Sequence, residues 1–304
     1  MDTYDIVIIG GGPAGLTAGI YAARAALKTV LLEQAMPGGL AATTDIIENY
    51  PGFPEGLSGP DLANHMLAQA ERFGLEIQYT AAQFLTKTDN VFRITTDSGM
   101  IQSKTVIIAS GAKPKMPGFQ GEQEFHGKGV SYCATCDGAF FRDKTVVVVG
   151  GGDSAVEEAL FLTKFATKVY IVHRRNELRA TKYVQEKAKN NDKIEFILNS
   201  VIEAIKGENI VSAVDVKNVE TGDIQTLEAN GVFIYIGHAP STELVQDMVE
   251  LDEGGYIITD DTMNTTVPGL FAAGDIRSKT LRQVVTAVSD GAIAAMAAEK
   301  YIEQ

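Results

Sequence analysis

The sequence predicts an α/β protein of two domains, with the second domain inserted into the first. Its 304 residues are about twice the length of an average domain. The same strand, glycine-rich turn, helix and strand occur twice along the chain. A further apolar strand near Leu270 follows the second copy and most simply returns to the domain of the first. Together these observations predict a discontinuous first domain.

Composition and charge narrow the possible functions. Hydrophobic residues make up 45% of the chain and charged residues 21%, as in ordinary folded proteins. The net charge of −13 argues against nucleic acid or an anionic membrane as a partner. No apolar run approaches the roughly 18 residues of a membrane-spanning helix. An apolar strand begins as early as Ile6, so we expect no targeting segment. Only two cysteines are present, too few for the disulfide scaffold of a secreted protein, so we expect a cytoplasmic location.

The first copy of the repeat lies at the start of the chain. Residues 6–9 are all apolar, which is typical of a parallel strand buried on both faces. Gly10 opens a glycine-rich turn into an alanine-rich helix, and a second apolar strand ends at Glu33. A turn of this kind lets the backbone of a helix N-terminus approach a pyrophosphate.

The second copy has the same spacing. It begins with the apolar residues 146–149 and the turn at Gly150. Glu33 lies 23 residues after Gly10, and His173 lies 23 residues after Gly150. Glycine turns without a ligand are the alternative, but the repeated context is that of two Rossmann-like dinucleotide-binding domains. The predicted dinucleotide contacts in the turns are Gly10, Gly12, Pro13, Ala14 and Gly15, and then Gly150, Gly152, Asp153, Ser154 and Ala155.

The residues at the two strand ends indicate different nucleotides. Glu33 can accept hydrogen bonds from both ribose hydroxyls of FAD or NAD and repels a 2′-phosphate. His173, Arg174, Arg175 and Arg179 form a cationic cluster that favours the 2′-phosphate of NADP, with a solvated charged surface as the alternative. We therefore expect one adenine dinucleotide of each kind.

Apolar strands at residues 106–109 and 232–236 are expected to complete the two nucleotide domains. Proline and glycine residues mark two linkers, near residues 112–117 and 238–242, which we expect to act as a hinge.

Cys133 and Cys136 are close enough in sequence to form a small disulfide loop or half of a metal site. No second cysteine pair exists and the four histidines lack metal-like spacing, so we expect no metal. A redox-active dithiol fits a chain that binds two dinucleotides, with a structural bridge or zinc as the alternatives. Asp137 is a candidate proton handler or simply a turn residue before Gly138.

These motifs together resemble the low-molecular-weight, bacterial-type thioredoxin reductases. The matching stretches are GGGPAG, ENYPG, CATCDG, GGGDSA, HRRNELR, FAAGD and RQ, which cover nearly the whole chain in family order. The resemblance implies a homodimer with a discontinuous FAD domain, residues 1–114 and 240–304, and an inserted NADPH domain, residues 115–239, that carries the cysteine motif.

The resemblance also implies individual roles. Cys136 is expected to lie nearest the flavin, Cys133 to attack the protein substrate, and Asp137 to act as acid and base. Family members commonly have Gly-Gly-Gln where this chain has Gly38-Gly39-Leu40, so one polar flavin contact is expected to be missing. Further FAD contacts are expected from Asn49, Gly274, Asp275, Arg282 and Gln283.

The predicted activity is a thioredoxin reductase that carries electrons from NADPH to FAD, to the Cys133–Cys136 disulfide and then to thioredoxin. The inserted domain is expected to rotate between steps, because the nicotinamide and the disulfide must each reach the same flavin ring. The alternatives are a glutaredoxin-like or peroxiredoxin substrate, a ferredoxin-linked flavin reductase, and a non-catalytic nucleotide sensor, which would have no use for the cysteine pair.

Overall fold

A computed structural model describes residues 2–304 and shows that the chain forms two compact units. One unit consists of the chain up to Lys113 together with Ala239–Gln304, and the other of Pro114–His238. The predicted fold class, with one α/β unit inserted into another, is confirmed.

The strands, numbered in chain order through both units, are β1 (Thr3–Ile9), β2 (Thr29–Glu33), β3 (Glu76–Tyr79), β4 (Ala82–Thr88), β5 (Val91–Thr96), β6 (Gly99–Ile108), β7 (Ala112–Pro114), β8 (Val130–Ser131), β9 (Thr145–Val149), β10 (Lys168–Val172), β11 (Ile194–Ile197), β12 (Ser200–Gly207), β13 (Val211–Asn218), β14 (Ile224–Glu228), β15 (Gly231–Ile234), β16 (His238–Pro240) and β17 (Leu270–Ala272). The helices are α1 (Pro13–Arg24), α2 (Gly59–Arg72), α3 (Ala134–Asp137), α4 (Asp153–Leu162), α5 (Lys182–Lys189) and α6 (Val284–Ile302).

The first unit is built on a seven-stranded sheet. Its strand order is β3-β2-β1-β6-β5-β4, and β17 pairs with β6. The strands β3, β2, β1, β6 and β17 run parallel, whereas β4, β5 and β6 form an antiparallel meander. The late strand near Leu270 thus returns to the first unit, as the sequence predicted.

The helices α1 and α6 pack on one face of this sheet and lie in close contact with each other. A Cβ on Gly291 of α6 would lie 2.1 Å from the carbonyl oxygen of Ala14 in α1, so only glycine allows this approach. The apolar residues of β1 are buried from Ile6 onward, as expected for a strand covered on both faces.

The second unit contains a five-stranded parallel sheet in the order β11-β10-β9-β15-β8. A separate antiparallel meander is formed by β12, β13 and β14. The short strands β7 and β16, where the chain passes from one unit to the other, pair as a two-stranded sheet. From residue 2 to residue 304, no helix has the length and apolar character needed to cross a bilayer.

Candidate active site

The first glycine-rich turn connects β1 to α1. Gly10 has φ +109°, and a Cβ there would lie 2.4 Å from the carbonyl oxygen of Ala109. A Cβ on Gly15 would lie 1.9 Å from the carbonyl oxygen of Gly10. At Gly12, in contrast, the nearest atom would be the Cα of Gly39 at 3.9 Å. The turn is therefore closely packed against backbone at Gly10 and Gly15 but open at Gly12. A pyrophosphate can approach the helix N-terminus at this open position.

Glu33 lies beside this turn at the end of β2. Its carboxylate accepts hydrogen bonds from the N–H of Gly11 at 2.7 Å and of Ala35 at 2.9 Å. The carboxylate is thus fixed at the position where this fold recognises a ribose. Pro13 begins α1, where its missing N–H has no intrahelical partner to lose, and Ala14 follows as a buried residue.

Three of the residues assigned to FAD by resemblance meet at the start of α6. The amide of Asn49 donates to Oε1 of Gln283 at 3.0 Å, although 234 residues separate them. Gln283 also caps α6 in a reciprocal arrangement with Thr286. The guanidinium of Arg282 lies 3.8 Å from the ring centroid of Tyr256, and its buried Nε has no hydrogen-bond partner among residues 2–304.

The Gly274–Asp275 loop after β17 is held by a buried ionic cluster. The N–H of Gly274 donates to Oδ2 of Asp290 at 3.1 Å. The Asp290 carboxylate, buried on α6, also accepts from Nη1 of Arg277 at 2.9 Å and from Nζ of Lys279 at 3.0 Å. Lys279 in turn lies 3.6 Å from Oδ1 of Asp275.

The sequence reasoning missed this ionic cluster. Asp290 is a single carboxylate on an otherwise small and apolar face of α6, and such a residue is seldom buried without a partner. This isolated carboxylate on α6 could therefore have been predicted to have a cationic partner.

The second glycine-rich turn connects β9 to α4. Gly150 has φ +147°, and a Cβ there would lie 2.3 Å from the carbonyl oxygen of Tyr235. A Cβ on Gly152 would have no atom within 4 Å. The second turn thus repeats the tight and open positions of the first.

The helix α4 begins with the predicted contact residues. Asp153 is its first residue and accepts a hydrogen bond from the N–H of Thr181 at 2.7 Å. Ser154 is exposed beside it, whereas Ala155 is buried against the sheet.

The cationic cluster lies at the end of β10 and in the loop that follows. His173 is buried, and burial together with the nearby Arg179 lowers the pKa of its imidazole below the ordinary value. Arg174, Arg175 and Arg179 are exposed and form no ion pair with any carboxylate in the described part of the chain. The N–H of Arg179 donates to the carbonyl of Gly151 at 2.6 Å, which ties the cluster to the turn. The arginines therefore carry its positive charge at neutral pH.

The two cysteines form a disulfide in the same unit. The Sγ atoms are 2.07 Å apart and the Cα atoms 5.3 Å apart. Cys133 caps α3, and its Sγ accepts a hydrogen bond from the N–H of Cys136 at 3.2 Å. Cys136 is exposed and Cys133 half-buried. Asp137 ends α3 and is half-buried, with its N–H 3.2 Å from the carbonyl oxygen of Cys133.

Tyr235 is a second residue that the sequence reasoning missed. Its hydroxyl oxygen accepts a hydrogen bond from the N–H of Ala134, between the cysteines, at 2.7 Å. Burial, followed by the nearby carboxylate of Glu158, raises the pKa of the Tyr235 hydroxyl above its ordinary value. Tyr235 directly follows β15, at the carboxyl edge of a parallel sheet, where ligand sites of this fold lie. Its position in sequence was therefore a usable signal.

Two dinucleotide turns and a two-residue cysteine loop on this α/β frame define a nucleotide-dependent disulfide oxidoreductase. The profile of the pyridine nucleotide-disulphide oxidoreductase family matches residues 4–291, and the chain belongs to this family. It is 53% identical to a thioredoxin reductase of Peptoclostridium litorale over all of this chain and 98% of the relative.

Solved structures agree with this similarity. The Lactococcus lactis thioredoxin reductase, in a state described as the FR conformation, has a TM-score of 0.96 and 47% identity over 99% of each chain. The thioredoxin reductase of T. acidophilum has a TM-score of 0.95 and 36% identity over the full length of both chains.

Proposed function

We propose that this chain is a thioredoxin reductase with NADPH as its reductant. The observation that carries this proposal is the Cys133–Cys136 disulfide, which lies in the same compact unit as the arginine-lined nucleotide turn. A disulfide with a sequence separation of 3 closes too short a loop to restrict the unfolded chain much. A redox role explains such a bridge better than a structural one.

The residues of the first unit fit FAD. The open space at Gly12 admits a pyrophosphate, and the Glu33 carboxylate suits an unphosphorylated ribose. The buried Nε of Arg282 lacks a partner and can donate to a bound ligand. When bound, FAD supplies the two-electron chemistry that links NADPH to the disulfide. The remaining proposed contacts are Gly10, Pro13, Ala14, Gly15, Asn49, Gly274, Asp275 and Gln283.

The second unit fits NADPH. Gly152 leaves its turn open, and the Nε2 of His173 is buried without a partner among residues 2–304. Arg174, Arg175 and Arg179 provide exposed guanidinium groups for a 2′-phosphate dianion. The proposal thus assigns FAD to residues 1–114 and 240–304 and NADPH to residues 115–239. The other proposed contacts in this unit are Gly150, Asp153, Ser154 and Ala155.

The cysteines carry out the exchange with the protein substrate. The Cys133 thiolate attacks the thioredoxin disulfide, forms a mixed disulfide and releases one thioredoxin thiolate. Cys136 then attacks Cys133, which restores the internal disulfide and releases the second thiolate. The N–H of Cys136 stabilises the Cys133 thiolate in the first step, and Asp137 transfers protons to the released sulfur.

An anaerobic titration tests the proposal directly. The FAD-loaded protein is mixed with NADPH, with NADH or with reduced ferredoxin, and oxidised thioredoxin is then added. We expect the flavin absorbance to bleach with NADPH and to return on addition of thioredoxin. Bleaching by ferredoxin alone, or no reoxidation by thioredoxin, would contradict the proposal.

We predict that the cationic cluster makes the second unit prefer NADPH over NADH. Replacing Arg174 and Arg175 by glutamine should raise the Kd of NADPH much more than that of NADH. Each lost charge-assisted phosphate contact should cost about 1.5–3 kcal/mol. Titration of nucleotide binding by fluorescence or calorimetry measures both constants, and the FAD content should stay unchanged.

The matched control is the double variant Lys182→Gln and Lys189→Gln. It also removes two positive charges from exposed positions of the same unit, but these positions lie on α5. If both double variants bind NADPH equally well, the arginines belong to a solvated charged surface.

The open position of the first turn gives another prediction. Gly12→Val should fold, because its φ of −74° suits any residue, but should hold FAD less tightly by about 1–3 kcal/mol. The bound flavin is quantified by absorbance after gel filtration. Gly10→Ala is the contrasting variant, since its Cβ would meet backbone rather than open space, and should lose folded yield instead. Full FAD content in Gly12→Val would show that the pyrophosphate does not approach this position.

The quaternary structure and location also belong to the proposal. Val285, Ile293 and Met296 leave an apolar strip of α6 exposed, which suits the interface of a homodimer. Light scattering during gel filtration should give twice the chain mass of 32.5 kDa.

A cytoplasmic location and rotation of the inserted unit during turnover stay predictions.

A further inference from the structure

We infer that Tyr235 is a positioning residue for the redox disulfide. This inference rests on the proposed function, because it concerns the thiol chemistry of Cys133. The hydroxyl of Tyr235 reaches the cysteine loop from the end of β15, about 100 residues later in the chain, and accepts from the N–H of Ala134 at 2.7 Å.

The Ala134 N–H needs this partner. Ala134 is the first residue of α3, so its N–H has no intrahelical acceptor. The residue is fully buried, so water does not replace a missing partner. The Tyr235 hydroxyl therefore satisfies a donor that the four-residue helix leaves open.

The residue that carries this hydroxyl is itself fixed. The N–H of Tyr235 donates to the carbonyl of Val149 at 2.7 Å, which continues the sheet beyond β15. Its own carbonyl lies against Gly150, where a Cβ would come within 2.3 Å. The backbone of Tyr235 is thus packed against the second nucleotide turn, and its side chain has a rigid base.

The hydrogen bond between Ala134 and Tyr235 acts on the sulfur of Cys133 through the short helix α3. With Ala134 held, α3 keeps the N–H of Cys136 directed at the Sγ of Cys133. A hydrogen bond to the thiolate favours the charged form and lowers the pKa of the thiol. Burial and the carboxylates of Glu158 on α4 and Asp137 on α3 raise the pKa of the Tyr235 hydroxyl, which therefore stays protonated beside the cysteine loop at neutral pH.

Tyr235→Phe tests the inference, because it keeps the ring and removes only the hydroxyl. The FAD-loaded protein is reduced with dithiothreitol, and alkylation of Cys133 by iodoacetamide is followed against pH by peptide mass mapping. We expect the midpoint of the profile to rise by about 0.5 pH unit, which slows alkylation at pH 7 about threefold. A change in access alone would alter the plateau rate and leave the midpoint in place.

Tyr132→Phe is the matched control. It also removes a tyrosine hydroxyl bonded inside the same unit, but this hydroxyl contacts Glu122 and not the cysteine loop. We expect its midpoint to remain that of the unsubstituted protein. Equal shifts in both variants, or no shift in Tyr235→Phe, would overturn the inference.

Amide hydrogen exchange provides a measurement that does not depend on a substitution. In the unsubstituted protein the Ala134 amide should exchange at least tenfold more slowly than an unprotected amide, and Tyr235→Phe should remove this protection. Rapid exchange at Ala134 in the unsubstituted protein would refute the hydrogen bond. Neither measurement uses thioredoxin, so failure of the proposed activity and failure of this inference are separable.

Discussion

Replacing either cysteine by serine, Cys133→Ser or Cys136→Ser, is expected to reduce thioredoxin turnover by about three orders of magnitude or more. A single thiol cannot cycle between disulfide and dithiol within the chain, so two electrons have no acceptor at this site. Steady-state oxidation of NADPH in the presence of thioredoxin measures the loss. FAD content and reduction of the flavin by NADPH should persist in both variants, because neither depends on the cysteine loop.

The same pair of variants separates the roles of the two sulfurs. A thioredoxin that lacks its resolving cysteine, and whose remaining cysteine is held as a mixed disulfide with thionitrobenzoate, should be trapped by Cys136→Ser, because the Cys133 thiolate attacks that sulfur and releases the thionitrobenzoate thiolate. Cys133→Ser should trap none, even though Cys136 is the more exposed of the two residues. Trapping by Cys133→Ser would reverse the assignment, and unfolding of both variants would indicate a structural bridge.

Removing the carboxylate of Asp290 should markedly lower the free energy of unfolding of the first unit. Asp290→Ala leaves Arg277 and Lys279 without their shared counter-charge, although their side chains are only 12% and 10% exposed. Breaking a buried ion pair by removing one partner costs about 3–5 kcal/mol. For a unit of this size the Tm should fall by about 10 °C. Urea denaturation of the FAD-loaded protein gives the free energy of unfolding.

Two further variants identify the cause of that loss. Asp290→Asn keeps an acceptor for the N–H of Gly274 but removes the charge, so it should be less harmful than the alanine variant. Asp247→Ala removes a carboxylate from an exposed position of the same unit and should change the stability by less than about 0.5 kcal/mol. A loss below 1 kcal/mol in Asp290→Ala would mean that the cations find other partners or solvent.

The predictable part of the fold and site is the part that sequence periodicity and local spacing determine. A buried strand, a glycine turn and a helix are adjacent in sequence, so both turns and both strand ends could be located beforehand. The return of β17 to the first sheet followed from counting strands. The disulfide partners are three residues apart, and only two cysteines exist.

What could not be predicted depends on contacts between distant segments. The hydrogen bond from Ala134 to Tyr235 joins residues 101 positions apart, and no local pattern fixes the direction of that side chain. The Asp290 cluster depends on the depth at which α6 packs, which the small residue Gly291 controls. The proposed roles of Asn49 and Arg282 came from resemblance, and their meeting at the start of α6 became visible only in three dimensions.

The second glycine of each turn faces the residue at the end of the following strand. A Cβ on Gly11 would lie 3.0 Å from Oε2 of Glu33, and one on Gly151 would lie 2.4 Å from Nδ1 of His173. Because neither turn places a side chain at this point, the same backbone accommodates a carboxylate in one unit and an imidazole in the other. After duplication of such a βαβ unit, the copies can diverge in nucleotide preference through substitutions at the strand end alone, with no compensating change in the turn.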